Sequence, residues 1–422
     1  MAGRLSGRQL APLRGSGFRL LFFATLGSSL GTLLAAIALA IDVKDRTNSG
    51  LWVGAVLLAE FLPTILVGLT LGPLLDRLER RRLMVGADLV RVAVFCLLPF
   101  ATRPAAIVAL AAVAGLANGF FRPAVYAGVP NLVPEEELPE ANALLQTVEN
   151  LSWMAGPLLG GVLTAAAGPH AAYWINAASF LVSAVLVVRI PARKLQSETA
   201  LSRGHWRDLR EGFSVVVHSR PLVAVLVAWG IACLGIGATN VAEVFLAKNV
   251  FSAGDFGYGL LYGAIGAGLV CGSFVSSLVV ERIGIAKTYG AALALMAVGL
   301  GAAAVSPNVW VAAAFCVVHG VGDGAAIVCN ALLVQRGAPD RVRGRALTLV
   351  MSATYLVTAI ATVVAGAVLH IGGARWVWAG AAICYGVAAV AGYTLARGVT
   401  VTAEAPPSPR AEPGAPLEAS TL

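Results

Sequence analysis

Four ionisable side chains fall inside long apolar runs, where charge is expensive. Glu60 sits near the middle of the run 51–71, with Thr64 one helical turn on and Pro63 between them. Asp323 lies near the middle of 309–334, with His319 and Asn330 on the same helical face. Arg122 and Glu149 occupy two further runs, near Asn118, Gln146 and Asn150 by helical spacing, and can neutralise one another. A charge at the centre of a membrane helix costs about 2.5–3.5 kcal/mol on insertion scales, so such residues are functional candidates by default. A carboxyl group in that setting can load and release a proton or hold the charge of a bound molecule. The rival reading of each is structural, a hydrogen bond for Glu60 and Asp323 and a neutralised pair for Arg122 and Glu149. Glu60 has no basic residue on its own run. Glu243, near the end of another run, is expected to be wet.

A second cluster lies at 72–82, Gly-Pro-Leu-Leu-Asp-Arg-Leu-Glu-Arg-Arg-Arg, between two apolar runs. Four arginines around Asp76 cannot lie in hydrocarbon, so this is a tight loop at a membrane surface, on the side where basic residues collect. Asp76 is placed to accept hydrogen bonds from helix N-termini or from arginines of a neighbouring helix. Asp88 and Arg91, one turn apart at the start of the next helix, are candidates to pair with it.

The elements that hold these residues follow from composition. The 422 residues are 58% hydrophobic and 12% charged, with mean hydropathy +0.81; soluble domains carry about 25% charged residues. A spanning helix needs about 20 apolar residues, and twelve such runs are predicted, near 18–41, 51–71, 83–100, 105–126, 141–166, 173–188, 222–246, 258–280, 288–305, 309–334, 346–370 and 376–396. The first exceeds the length of a signal-peptide core and is read as a helix of the protein. Alternating topology places 23 of the 30 basic residues on one side, 5 on the other and 2 (Arg91, Arg122) within helices. That bias orients both termini to the cytoplasm, and it accounts for the net charge of +8 without a nucleic-acid partner. Residues 1–17 form a basic leader, 18–188 a first six-helix bundle, 189–220 a polar cytoplasmic linker, 221–396 a second bundle, and 397–422 a Pro-, Ala- and Glu-rich tail expected to be disordered. The six cysteines lie in apolar runs without metal or redox spacing. No phosphate-binding glycine loop, nucleophile elbow or zincin pattern appears, so no cofactor, no metal and no enzymatic activity is expected. Four lysines against twenty-six arginines suggest a GC-rich bacterial genome.

The halves repeat at an offset of 205 residues: Asp76-Arg77 with Glu281-Arg282, Gly115 and Gly119 with Gly320 and Gly324, Pro134-Glu135 with Pro339-Asp340, Gly161 with Gly366. The loop pattern Gly-x-x-x-Asp-Arg-x-x-Arg-Arg resembles the signature between helices 2 and 3 of the major facilitator superfamily, with Glu79 where that signature has its second glycine. In the second copy Ser277 stands where the first glycine would be. The run Gly156-Pro157-Leu158-Leu159-Gly160-Gly161 resembles the core of the exporter-type helix 5 motif, with Ser152 replacing its upstream glycine. The loop is most similar to that of the macrolide-efflux and siderophore-exporter branch, and the resemblance covers roughly 18–396.

That resemblance implies an all-α integral membrane fold, twelve transmembrane helices in two pseudo-symmetric six-helix bundles. It implies a secondary transporter of the bacterial inner membrane, working by alternating access, monomeric in the bilayer, with protons and a small molecule as partners. The family's gating role falls on Gly72, Asp76, Arg77 and Arg81, with Asp88 and Arg91 beside them. Glu60, Arg122, Glu149 and Asp323 are the coupling or substrate candidates, and Gly156, Pro157, Gly160 and Gly161 the helix 5 motif. The expected cargo is an amphipathic organic molecule, exported in exchange for protons; the alternative is an uncoupled facilitator or an importer of a metabolite.

Overall fold

The computed structural model describes residues 10–70, 78–195, 216–338, 340–397 and 399. The first half contains α1 (Ser16–Thr47), α2 (Gly50–Thr70), α3 (Arg80–Leu97), α4 (Pro104–Gly128), α5 (Leu138–Ala167) and α6 (Pro169–Val188). The second contains α7 (Arg220–Phe245), α8 (Gly254–Ile283), α9 (Ile285–Ala304) and α10 (Val309–Gly337). The helical stretch Asp340–Leu395 breaks at Gly373 into α11 (340–372) and α12 (374–395). Apart from α5, every one of these helices lies in a stretch long and apolar enough to cross a bilayer. The first half of α5 carries Glu140, Asn142, Gln146, Glu149 and Asn150, which lowers its hydropathy; its 30 residues still span the bundle beside α1 and α8.

Helix α1 outruns its apolar stretch. Asp42, Lys44, Asp45 and Arg46 continue it because their charges are matched: Arg46 Nε donates to Asp42 at 2.7 Å, and the Tyr173 hydroxyl donates to the other Asp42 oxygen at 3.0 Å. It stops at Asn48, whose left-handed φ of 45° suits a helix C-terminus.

The 205-residue repeat is spatial as well as sequential. A Cβ on Gly115 of α4 would collide with the Glu60 carbonyl of α2, and one on Gly320 of α10 with the Ile265 carbonyl of α8, the equivalent position. Gly54 sits against Thr362 O, and Gly259 against Pro157 O, again equivalent pairs. Gly168 and Gly373 occupy one register and share one conformation, φ 77° with ψ 168° and φ 75° with ψ 170°, a region that is essentially glycine-only. Gly284 adopts it too, between α8 and α9. Its counterpart is Glu79, which has lost that conformation and caps α3 with φ −64° and ψ 111°. A carboxylate there offsets the three arginines that open α3, since helix N-termini favour negative charge; Arg82 Nε lies 2.7 Å from Glu79.

Two packed clusters show how the bundles meet. One is confined to α1, α3, α4, α5, α6 and neighbouring turns, built on Phe18, Leu21, Met84, Phe121 and Val125. The other runs unbroken from Ile41, Val53 and Tyr173 in the first half to Phe245, Tyr258 and Trp378 in the second. The halves are therefore joined at the end bearing the α1–α2 turn.

Candidate functional site

A cavity of about 160 Å³ opens inside the first half. Helix α1 lines it with Thr25, Ser28, Ser29 and Thr32, spaced so that all four share one face. Helix α2 contributes Glu60 and Phe61, α4 Asn118, Arg122 and Tyr126, and α5 Glu149, Ser152 and Trp153. Three of the four sequence-derived coupling candidates thus share one chamber.

The local chemistry of α2 seats Glu60. Pro63 has no N–H, so the Ala59 carbonyl loses its helical donor. Gly115, lacking a side chain, lets α4 close to within van der Waals reach of that carbonyl. The Thr64 hydroxyl donates across to Gly115 O at 2.7 Å, which ties the two helices. Among the described residues no ion pair reaches the Glu60 carboxylate. The arginines that share its cavity are engaged elsewhere: Arg122 Nη2 donates to Glu149 at 2.6 Å, where the Tyr126 hydroxyl also donates at 2.8 Å, and Arg91 pairs with Asp88.

The two pairs differ in setting. The Arg122 side chain, on the cavity wall, is 51% exposed. Asp88 and Arg91 are sealed, with side chains 0% and 4% exposed. The Arg91 guanidinium is sandwiched between Phe121 and Phe180, 4.3 and 4.2 Å from their centroids, and Ser183 donates to the second Asp88 oxygen at 2.8 Å. Cation–π contact of this kind is strongest when desolvated. Asp88 and Arg91 therefore form a buried pair of their own that holds α3 against α4 and α6, with Arg91 forming part of the cavity wall.

The cavity is capped at the α1–α2 end by contacts between halves. Trp153 stacks on Tyr262 of α8, 6.2 Å apart and 12° from parallel. Above it Gly161 faces Gly259, and Gly50 faces Gly366, with no side chain between the backbones. Lys248 closes the rim: it donates to Asp45 of α1 at 2.6 Å and to Asp255 at the start of α8. Helix α5 serves two interfaces, because successive residues point 100° apart: Gly156 and Gly160 pack on Leu33 and Leu34 of α1, and Gly161 packs on the other half.

Asp323 does not enter this cavity. It lies half-buried on α10 in the second half, and among the described residues its buried Oδ1 has no hydrogen-bond partner. His319 is used structurally, with Nδ1 2.9 Å from Met296 O and its ring edge-on to Tyr385 at 5.1 Å. Glu243, expected to be wet, is 0% exposed, because α7 is enclosed by α11 and α10 and capped at this end by the halves' junction. Of the loop signature, Gly72, Asp76 and Arg77 lie outside the described residues. Arg81 is within them, 3.6 Å from Glu79. Sequence reading missed Lys248 and the α1 hydroxyl face; the four-residue Ser/Thr spacing was visible, but not the surface it would meet.

A family profile described as a transmembrane secretion effector of the major facilitator superfamily matches residues 7–418. The chain belongs to that family. As a member it is a multi-pass membrane transporter, not an enzyme. It is 25% identical over 364 residues to the multidrug efflux pump Tap of Mycolicibacterium fortuitum, covering 82% of this chain and 88% of the pump. It is also 25% identical over 209 residues to macrolide efflux protein A of Streptococcus pyogenes, covering 47% and 52%. A bacterial homologue of the iron transporter ferroportin, solved inward-facing, superposes with TM-score 0.69 at 17% identity over 90% of this chain and 98% of its own. The nucleoside transporter NupG does so with TM-score 0.70 at 14% identity, over 90% and 99%. These superpositions agree with the twelve-helix, two-bundle fold expected from the sequence.

Proposed function

We propose that this chain is a proton-coupled exporter of amphipathic small organic molecules from bacterial cells, working by alternating access. The observation that carries the reading is Glu60, a carboxylate on the wall of the cavity whose neighbouring arginines are already neutralised. A proton or a cationic group of the cargo can occupy it, and exclusion of one by the other is the simplest form of exchange. The surrounding hydroxyls of α1, Phe61, Tyr126 and Trp153 suit a cargo with polar and aromatic parts. Kinship with pumps named for multidrug and macrolide efflux supports the outward direction. The asymmetry of basic residues supports an orientation with both termini inside and the sealed end outside. In that orientation the arrangement is inward-facing, with the Arg122–Glu149 pair at the mouth that receives cargo. The loop at Gly72, Asp76, Arg77 and Arg81 then acts as the inner latch when the protein turns outward.

Transport in proteoliposomes under an imposed pH gradient tests the proposal. Glu60→Gln mimics the protonated carboxyl, so exchange of cargo across the membrane survives while uphill export and its pH dependence vanish. Glu60→Asp retains partial coupling. A Gln variant that concentrates cargo as steeply as the parent removes Glu60 from the mechanism and makes Asp323 the leading candidate. A parent protein that only equilibrates cargo is an uncoupled facilitator.

A further inference from the structure

Glu243 of α7 is the one carboxyl among the described residues whose two oxygens are both buried without a hydrogen-bond partner, on a residue 0% exposed. Its surroundings are part of the junction between halves. Three residues on, α7 passes into a π-turn, Leu246–Val250, a departure from α geometry that is common at functional sites. That turn carries Lys248, committed to Asp45 and Asp255. Lys44 of α1 lies over the Phe245 ring and beside Asp45 at 3.7 Å. Arg375 of α12 lies over the Phe251 ring and donates to Ala304 O and Ser306 O. Among the described residues none of these three cations forms an ion pair with Glu243.

The titratable groups of the packed elements that feel the charge of Glu243 are Tyr258 and Tyr262 on α8 and Cys316 on α10. None is a cation. The same two tyrosines interact with Glu60 across the junction, and Tyr262 is the residue stacked on Trp153 at the cavity roof. Glu243 and Glu60, on opposite halves, thus act electrostatically on the same two tyrosines.

An ionised carboxylate sealed away from water with no donor is strongly disfavoured; the carboxylic acid leaves only an unmet hydrogen bond. Separation of the halves at this end would lift Lys248 from Asp45 and let water reach the end of α7. We propose that Glu243 is a proton-binding residue of this junction, taking one proton from water while the halves are apart and permitting closure only once neutral. One proton passes from water to a carboxylate oxygen, and no other bond changes. The idea rests on alternating access but not on the role given to Glu60.

The test uses the full chain in detergent, with native cysteines replaced and spin labels at Asn48→Cys and Ser252→Cys, one in each half. Pulsed dipolar spectroscopy then reads their separation against pH. Proton loss leaves a charge that cannot be buried, so the long-distance population of the parent grows as pH rises. Glu243→Gln should hold the short distance at every pH, while Glu60→Gln keeps the parental pH response even as it loses uphill transport. A Glu243→Gln chain that opens with pH as the parent does overturns the proposal, as does a parent with no pH response. Should Glu243→Gln not accumulate, infrared spectroscopy of the Glu60→Gln/Asp323→Asn chain at neutral pH answers instead. A protonated-carboxyl C=O band is expected there, and its absence overturns the assignment.

Discussion

Two ion pairs of similar geometry have different work to do because water reaches one and not the other. Arg91→Met leaves Asp88 buried and uncompensated, which should cost about 3–5 kcal/mol, read as a lower unfolding temperature in detergent. Arg91→Met with Asp88→Asn should recover most of that loss, since removing both charges removes the penalty. Glu149→Gln breaks a pair whose arginine side chain is half exposed; it should cost about 0–1 kcal/mol yet bring export to near background. If both single variants lose stability equally, the cavity mouth is as dry as the core and its role in receiving cargo fails. The sequence put Arg122 and Glu149 on two different helices as charges able to neutralise one another, and they are paired. It placed Asp88 and Arg91 one turn apart but aimed them at the loop, because nothing in the chain announces that Phe121 and Phe180 flank that guanidinium from two other helices.

At the scale of the helix, the Gly-Pro-x-x-Gly-Gly run of α5 was legible as a close-packing motif, whereas its two separate faces were not. A helical wheel separates Gly160 from Gly161 but cannot say which neighbour each one meets. A Cβ on Gly160 would lie 2.5 Å from Leu34 O, within the same half. Gly160→Ala should therefore destabilise the chain by about 1–3 kcal/mol through overpacking. Gly161→Ala places its methyl 2.7 Å from Gly259 Cα in the other half, so strain is relieved when the halves part. That variant should unfold near the parental temperature and show greater labelling of a Ser49→Cys probe by an external thiol reagent. Unchanged labelling would mean that this seam does not part during the cycle. Helix α1 teaches the converse lesson: its apolar run ends well before the helix does, because Asp42, Arg46 and Tyr173 satisfy one another across a distance the sequence does not display.

Across the whole molecule, the architecture was readable because the bilayer enforces it: apolar runs of fixed length, basic loops on one side, and one repeat register. Orientation is checked by thiol labelling of intact cells, where probes at Ser49 and at the exposed Pro307 should react from outside and one at Ser202 should be spared; labelling at Ser202 would invert the proposed topology. What the repeat concealed is that symmetry of backbone coexists with asymmetry of charge. Glu60 maps onto Ile265 and Asp323 onto Asn118, so each half contributes a different carboxylate to a common scaffold. The paired glycines at the seam carry a further implication. Closing a seam of bare backbone freezes almost no rotamers, whereas long side chains lose up to about 1.5–2 kcal/mol each. Along those glycine contacts closure costs little conformational entropy, and the cost falls on the side chains that do order across the seam, Trp153 and Tyr262 in their stack and Lys248 between its two aspartates. Ionic strength is consequently a control on the cycle: since exposed charges are screened by salt within about 8–10 Å, raising it should shift the population toward the open seam, and Lys248→Met should abolish that response.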